Sequence, residues 1–131
     1  MAVKKPAMIV MPCHPTNQWS RKGTAFQYIV MHFVGAVSSA RDNGRYFANN
    51  ANLRASAHFF VDETTIVSSC PLTMAAGHCG VDYSGGNAPF WNGGGTNRRS
   101  IGIEMSARKT APGAGTSSRP PSPAPWAWSS G

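Results

Sequence analysis

Three histidines and one glutamate are the residues of this 131-residue chain whose types and positions could support chemistry. His32, His58 and His78 fall on or beside segments of strand character, and Glu104 lies on another. Imidazole and carboxylate groups are zinc ligands, and a nearby carboxylate can transfer protons in a hydrolytic site. The spacing contains no short two-ligand motif such as H-E-x-x-H. A zinc hydrolase is therefore one interpretation, and buried, hydrogen-bonded strand histidines are the alternative.

His32 belongs to the apolar run at residues 28–34, on which the other elements depend. Such a run predicts a strand that is buried on both faces. Because side chains alternate along a strand, His32 shares a face with Val30 and Val34. On a later strand, Gly102 and Glu104 share one face between apolar neighbours, which is more polarity than a core strand needs.

The remaining elements follow from periodicity and turn residues. We predict a helix over 40–50, capped by Ser38 or Ser39, and a hairpin that turns at Asp62. Before these elements we predict a leader without regular structure over 1–27. The strands of the hairpin are predicted at 56–62 and 65–70, followed by one helical turn within 71–76. A functional loop over 81–99, with Phe90 and Trp91 in its middle, then leads to a strand at 100–105. The fold class is α/β, with a mixed central sheet of about four to five strands and flanking helices.

Composition limits the partners. Twelve Lys and Arg against five Asp and Glu give a formal net charge of +7, which suits an anionic polymer such as nucleic acid, an acidic membrane surface or a cell-wall glycan. The basic residues are scattered and do not interleave with aromatic residues, so we expect no nucleic-acid binding. Three cysteines, Cys13, Cys70 and Cys79, form no regular disulfide framework. No apolar run has the length of a signal peptide or a membrane span, so we expect synthesis in the cytoplasm and no membrane partner.

Five blocks of this sequence, taken together, resemble a known enzyme family. They are YIVMHFVGA, RYFANN, ASAHFFVD, AAGHCG and NRRSIGIEM, and their order and spacing run from about residue 11 to residue 106. The chain resembles the zinc-dependent N-acetylmuramoyl-L-alanine amidases, which include phage-type endolysins and peptidoglycan recognition proteins. The resemblance implies hydrolysis of the amide bond between N-acetylmuramic acid and L-alanine of peptidoglycan, by a protein that acts on the cell wall when it is released.

The resemblance also implies roles for individual residues. His32 matches the first zinc ligand of the family, and Glu104 matches its catalytic carboxylate. His58 and His78 match histidines that line the substrate groove. Gly77 replaces the tryptophan expected before the second of these, and Ala57 replaces a tyrosine that is catalytic in some branches.

The sequence departs from the family after Glu104. No His, Cys, Asp or Glu follows it, so the other two family zinc ligands are absent, and we expect weak Zn²⁺ binding and impaired activity. We divide the chain into an amidase-like domain over 1–106, without its C-terminal helix and last ligand segment, and a low-complexity tail over 107–131. In this tail Ala, Gly, Pro and Ser make up 18 of 25 residues, which is typical of disorder.

Two interpretations of the tail remain open: an out-of-frame translation, which we prefer, or a linker to a wall-binding domain. For the chain, hydrolysis of peptidoglycan by a monomer is the leading hypothesis. The alternative is a non-catalytic module that binds peptidoglycan, or an inactive fragment.

Overall fold

The computed structural model describes residues 4–80 and 93–107. Nine elements and one 3₁₀ turn at Pro15–Asn17 occur there. In chain order they are β1 (Ala7–Val10), β2 (Gln18–Ser20), β3 (Tyr28–Val37), α1 (Ala40–Asn49), β4 (Phe59–Val61), β5 (Thr65–Ser68), β6 (Met74–Ala76), α2 (Gly93–Arg99) and β7 (Ser100–Ala107).

Five of the strands form one mixed sheet in the order β1-β5-β4-β7-β3. Strands β4 and β5 pair antiparallel, as the predicted hairpin requires, and the other three pairings are parallel. The predicted fold class, a mixed central sheet with flanking helices, is confirmed. Strands β2 and β6 form a separate antiparallel pair.

Helix α1 covers part of one face of the sheet. Ser39 caps it, because the Ser39 hydroxyl oxygen accepts a 3.0 Å hydrogen bond from the backbone N–H of Asp42. Phe47 stacks on Phe60 of β4 with ring centroids 5.2 Å apart. Both rings are buried in the core cluster, so the helix packs on the sheet through its apolar side. The predicted helix and its cap are confirmed.

The prediction that the strand at 28–34 is buried on both faces is wrong. Strand β3 lies at the edge of the sheet, and Ile29, Met31 and Phe33 are 65%, 53% and 64% exposed. The opposite face of β3 carries His32 and the buried Val34, as the alternation predicts. A continuous apolar run does not distinguish a central strand from an edge strand whose outer face lacks cover.

The predictions for the leader and for residues 71–76 are also wrong. The leader contains β1 and β2, and Met74–Ala76 is strand β6 instead of a helical turn. Of the predicted loop at 81–99, residues 93–99 form helix α2, while residues 81–92, with Phe90 and Trp91, lie outside the described residues. Residues 108–131 of the predicted tail lie outside them as well. In the described part of the chain no helix has both the length and the apolar character needed to cross a membrane.

Candidate metal and catalytic site

The register of the sheet brings His32 and Glu104 side by side. His32 of β3 is the direct partner of Glu104 of β7, and Glu104 is in turn the partner of Phe60 of β4. Partners in a parallel pair project to the same face, so the imidazole and the carboxylate share the face that α1 partly covers. His32 and Glu104, the two candidate functional residues that the sequence places on these strands, are therefore neighbours.

Glu104 is held in an environment that disfavours its charge. Its side chain is buried, and among the described residues its Oε2 has no hydrogen-bond partner. Burial raises the pKa of Glu104 to about 7. A carboxyl group with this pKa can both accept and donate a proton near neutral pH, as a general acid or base must.

His78 lies over the same face, in space that Gly102 leaves free because it has no side chain. Its side chain is only 1% exposed, and a Cβ atom at Gly102 would overlap its ring. Its Nδ1 lies 2.9 Å from Nε2 of His32 and 3.2 Å from Sγ of Cys79. The glycine that alternates with Glu104 on β7 therefore makes space for His78, which joins His32 and Cys79 in one cluster.

Ser100 determines which nitrogen of His78 carries the proton. The Ser100 hydroxyl donates a 2.7 Å hydrogen bond to the backbone carbonyl of Thr96, and its oxygen lies 2.9 Å from Nε2 of His78. Because the hydroxyl proton is used by Thr96, the Ser100 oxygen accepts from Nε2–H of His78. This assignment from hydrogen-bond partners leaves the Nδ1 lone pair directed at His32 and Cys79.

Asn97 of α2 holds the backbone that carries His78 and Cys79. Its Oδ1 accepts hydrogen bonds from the backbone N–H groups of His78 and Cys79, at 3.2 and 2.9 Å. Its Nδ2 donates to the carbonyl of Gly80 at 2.7 Å. The fully buried Asn97 side chain thus binds three consecutive residues and orients the two side chains that point at His32.

His32, His78 and Cys79 together form a possible metal site. Their ligand atoms all lie within 4.8 Å of one another. Burial lowers the pKa of His32, and burial with the neighbouring histidines lowers that of His78 to about 3, so both rings are neutral at pH 7, as metal ligation requires. Burial and the charge of Glu104 raise the pKa of the Cys79 thiol to about 11. Two imidazoles and one sulfur are a ligand set that suits zinc.

His58 is placed close to this cluster but has other partners. It is fully buried, its Nδ1 accepts from the backbone N–H of Gly102 at 3.0 Å, and its Nε2 lies 2.9 Å from the carbonyl of Met74. Burial, with a smaller effect of the Arg21 charge, lowers its pKa to about 4. Its ring centroid is 6.1 Å from that of His78. A role of His58 and His78 in binding substrate remains a prediction.

Three residues of this site, Asn97, Ser100 and Arg21, were not identified from the sequence. The Arg21 guanidinium is buried and donates to the carbonyls of Leu72, Arg98 and Ser100, which joins β2 to the end of α2 and to β7. The only signal for Asn97 and Ser100 is their place in the block NRRSIGIEM. Nothing in their types or spacing indicates a partner 17 to 22 residues earlier in the chain.

The fold and the site together define a class of protein. It is an α/β domain with a five-stranded mixed sheet, a buried carboxylate and a possible His/His/Cys metal centre. The family described as N-acetylmuramoyl-L-alanine amidase has a sequence model that matches residues 22–128 of the chain. The chain belongs to this family. The match runs beyond residue 106, where we predict the domain boundary, and that division of the chain remains a prediction.

Individual relatives agree with this assignment. The N-acetylmuramoyl-L-alanine amidase BlyA of Bacillus subtilis (strain 168) is 33% identical in an alignment 107 residues long, and the match covers 72% of this chain and 28% of BlyA. A mutant endolysin from Bacillus subtilis matches with a TM-score of 0.61 and 26% identity over 79% of this chain and 63% of that one. The catalytic domain of XlyA matches with a TM-score of 0.57 and 30% identity over 75% and 60% of the two chains. The chain thus spans little more than a quarter of BlyA and about three fifths of these solved domains.

Proposed function

We propose that this chain hydrolyses the amide bond between N-acetylmuramic acid and L-alanine in peptidoglycan. Family membership and the similarity to BlyA support the reaction class. The single observation that carries the proposal is the buried Glu104 carboxyl group, whose pKa is raised to about 7 and whose direct neighbour in the sheet is His32. The net charge of +7 supports a polyanionic substrate, because peptidoglycan bears carboxylates on its peptide stems.

In this proposal Glu104 is the catalytic residue that transfers protons. Its ionised form accepts a proton from the attacking water, and its protonated form then donates one to the leaving amine of L-alanine. Burial supports both steps because it keeps the pKa of Glu104 near the working pH and excludes bulk water from the carboxyl group. His58 and His78 are proposed to line the groove that holds the substrate.

Zn²⁺ is the proposed cofactor, with His32 as one ligand. The neutral imidazole of His32, next to a second imidazole and a thiol, fits a borderline-soft divalent ion. When bound, zinc polarises the scissile carbonyl and lowers the pKa of a bound water. The protein is proposed to act as a monomer on the cell wall after release, in the manner of an endolysin, without a nucleic acid or a membrane as partner.

A second candidate function is binding of peptidoglycan without hydrolysis. The observation that favours it is that residues 105–131 contain no His, Cys, Asp or Glu, which are the residue types that the resemblance implies for the other two zinc ligands. Retention of the protein on insoluble peptidoglycan with no release of soluble fragments is the result that this function predicts.

The test compares two carboxylates on purified peptidoglycan. We expect Glu104→Gln to lower the rate of fragment release by about 100-fold or more, the typical contribution of a general acid–base residue. Glu63→Gln removes an exposed carboxylate and is the matched control, which should keep the wild-type rate. Equal rates for the wild type and both variants would contradict the proposed role of Glu104.

A further inference from the structure

We propose that this chain builds its metal site from His32, His78 and Cys79, with Asn97 and Ser100 as positioning residues. Only His32 corresponds to a ligand that the resemblance implies, and His78, which is proposed above to line the substrate groove, here also binds the metal. The choice of zinc rests on the proposed function, whereas the ligand set rests on the contacts of the described residues.

The first argument is the arrangement of the ligand atoms. Nε2 of His32, Nδ1 of His78 and Sγ of Cys79 lie within 4.8 Å of one another, and the two nitrogens are 2.9 Å apart. One ion can contact all three atoms after small adjustments, because zinc–ligand bonds are about 2.0–2.3 Å long. His78 is buried while His32 and Cys79 are partly exposed, so the cluster has a buried side and a side open to solvent.

The second argument is a conflict of hydrogen bonds that a cation resolves. Ser100 accepts from Nε2–H of His78, so Nδ1 of the neutral ring has one lone pair and no proton. Nε2 of His32 and Sγ of Cys79 both approach this single lone pair, at 2.9 and 3.2 Å. A protonated Nε2 of His32 would compete with the thiol for this lone pair, and an unprotonated one would place two lone pairs face to face. A divalent ion that accepts electron pairs from all three atoms satisfies them together.

The third argument is the support behind the ligands. Ligating histidines donate a hydrogen bond from the N–H of their second ring nitrogen to a fixed acceptor, and Ser100, itself held by Thr96, is that acceptor for His78. Asn97 binds the backbone N–H groups of both His78 and Cys79. The buried Oε2 of Glu104, which has no partner among the described residues, is a further oxygen acceptor beside His32 in the sheet. These features exceed what the packing of His32 on β3 and of His78 after β6 needs.

The experiment titrates the metal-free 131-residue chain with Co²⁺ and then displaces Co²⁺ with Zn²⁺. We expect one equivalent of Co²⁺ to bind and to produce a thiolate-to-cobalt charge-transfer absorption, because Cys79 ligates the metal. Cys79→Ala should abolish this absorption and weaken binding by about 100-fold or more. Cys70→Ala is the matched control, since the Cys70 thiol lies in the hydrophobic core, and it should keep the absorption.

Ser100→Ala separates positioning from ligation. We expect it to keep the charge-transfer absorption while weakening Co²⁺ binding by about 10- to 100-fold, as the loss of a hydrogen bond behind a ligand does. His32→Gln should weaken binding and change the visible absorption of Co²⁺ while the thiolate absorption persists. Circular dichroism of each variant identifies any that fail to fold, and partly exposed Cys79 and His32 provide variants that should fold.

Absence of metal binding by the folded wild-type chain would overturn the proposal, as would a charge-transfer absorption that persists in Cys79→Ala. The outcome is independent of peptidoglycan hydrolysis. Metal binding through Cys79 without hydrolysis would refute the proposed function and leave the site intact. Hydrolysis that Cys79→Ala and Ser100→Ala leave unchanged would refute the site and leave the function intact.

Discussion

At the scale of residues, the site is a set of polar groups whose partners come from distant parts of the chain. Residue type alone identifies His32 and Glu104 as candidates, because imidazole and carboxylate groups are uncommon on apolar strands. Ser100 and Asn97 could not be identified in this way, since serine and asparagine occur in most loops and helix ends. Their function depends on contacts with His78 that only the tertiary structure creates.

Gly102 offers a test of the packing that positions His78. Gly102→Ala should lower the free energy of unfolding by about 1–3 kcal/mol, because the new Cβ would overlap the His78 ring and force it to move. In a His78→Ala background the same substitution should cost much less, since the ring is gone. Urea denaturation of the metal-free wild type, both single variants and the double variant measures this coupling.

Equal costs of Gly102→Ala in the two backgrounds would contradict the packing described here. They would mean that the backbone of β7, and not the His78 ring, resists a side chain at this position.

At the scale of elements, the sequence predicts the helix and the hairpin better than it predicts burial. Ser39 before an amphipathic segment identifies α1, and Asp62 between two apolar runs identifies the turn of the hairpin. Strand β1 was missed because only five residues separate Pro6 from Pro12, and four of them pair with β5 in the folded chain. Met74–Ala76 was misread because its pairing with Gln18–Ser20 depends on residues more than 50 positions earlier.

The two faces of the sheet differ in their cover. One row of paired residues on the inner face runs from His32 through Glu104, Phe60 and Val67 to Ile9, and α1 packs beside it. The next row lies on the other face, where its members Phe33 and Met105 are exposed. Neighbouring exposed apolar side chains promote association, so we expect the described part of the chain to bind apolar surfaces through the outer face of β3.

Two adjacent residues of β3 test this difference between the faces. Phe33→Thr should change the free energy of unfolding by no more than about 0.5 kcal/mol, because Phe33 is exposed, and should reduce both self-association and binding of an apolar dye. Val34→Ala is the matched comparison and should cost roughly 1–3 kcal/mol, because Val34 is buried. Chemical denaturation and dye fluorescence measure the two effects. A cost of Phe33→Thr as large as that of Val34→Ala would show that the outer face is covered.

At the scale of the whole molecule, family membership and charge both support the proposed substrate. The sequence model of the family matches residues 22–128, and the formal net charge of +7 favours a polymer that carries carboxylates. Similarity in sequence and in fold does not identify the bond that is cleaved, since one fold supports several chemistries. The products of the reaction must identify it.

The most direct test is therefore an end-group analysis of peptidoglycan digested by the 131-residue chain with added Zn²⁺. If this chain is an N-acetylmuramoyl-L-alanine amidase, the digest contains new amino-terminal L-alanine and no new reducing sugar ends. Both should remain at background in the Glu104→Gln digest. New reducing ends, new amino termini of another residue, or binding with no new end groups would contradict the proposed function.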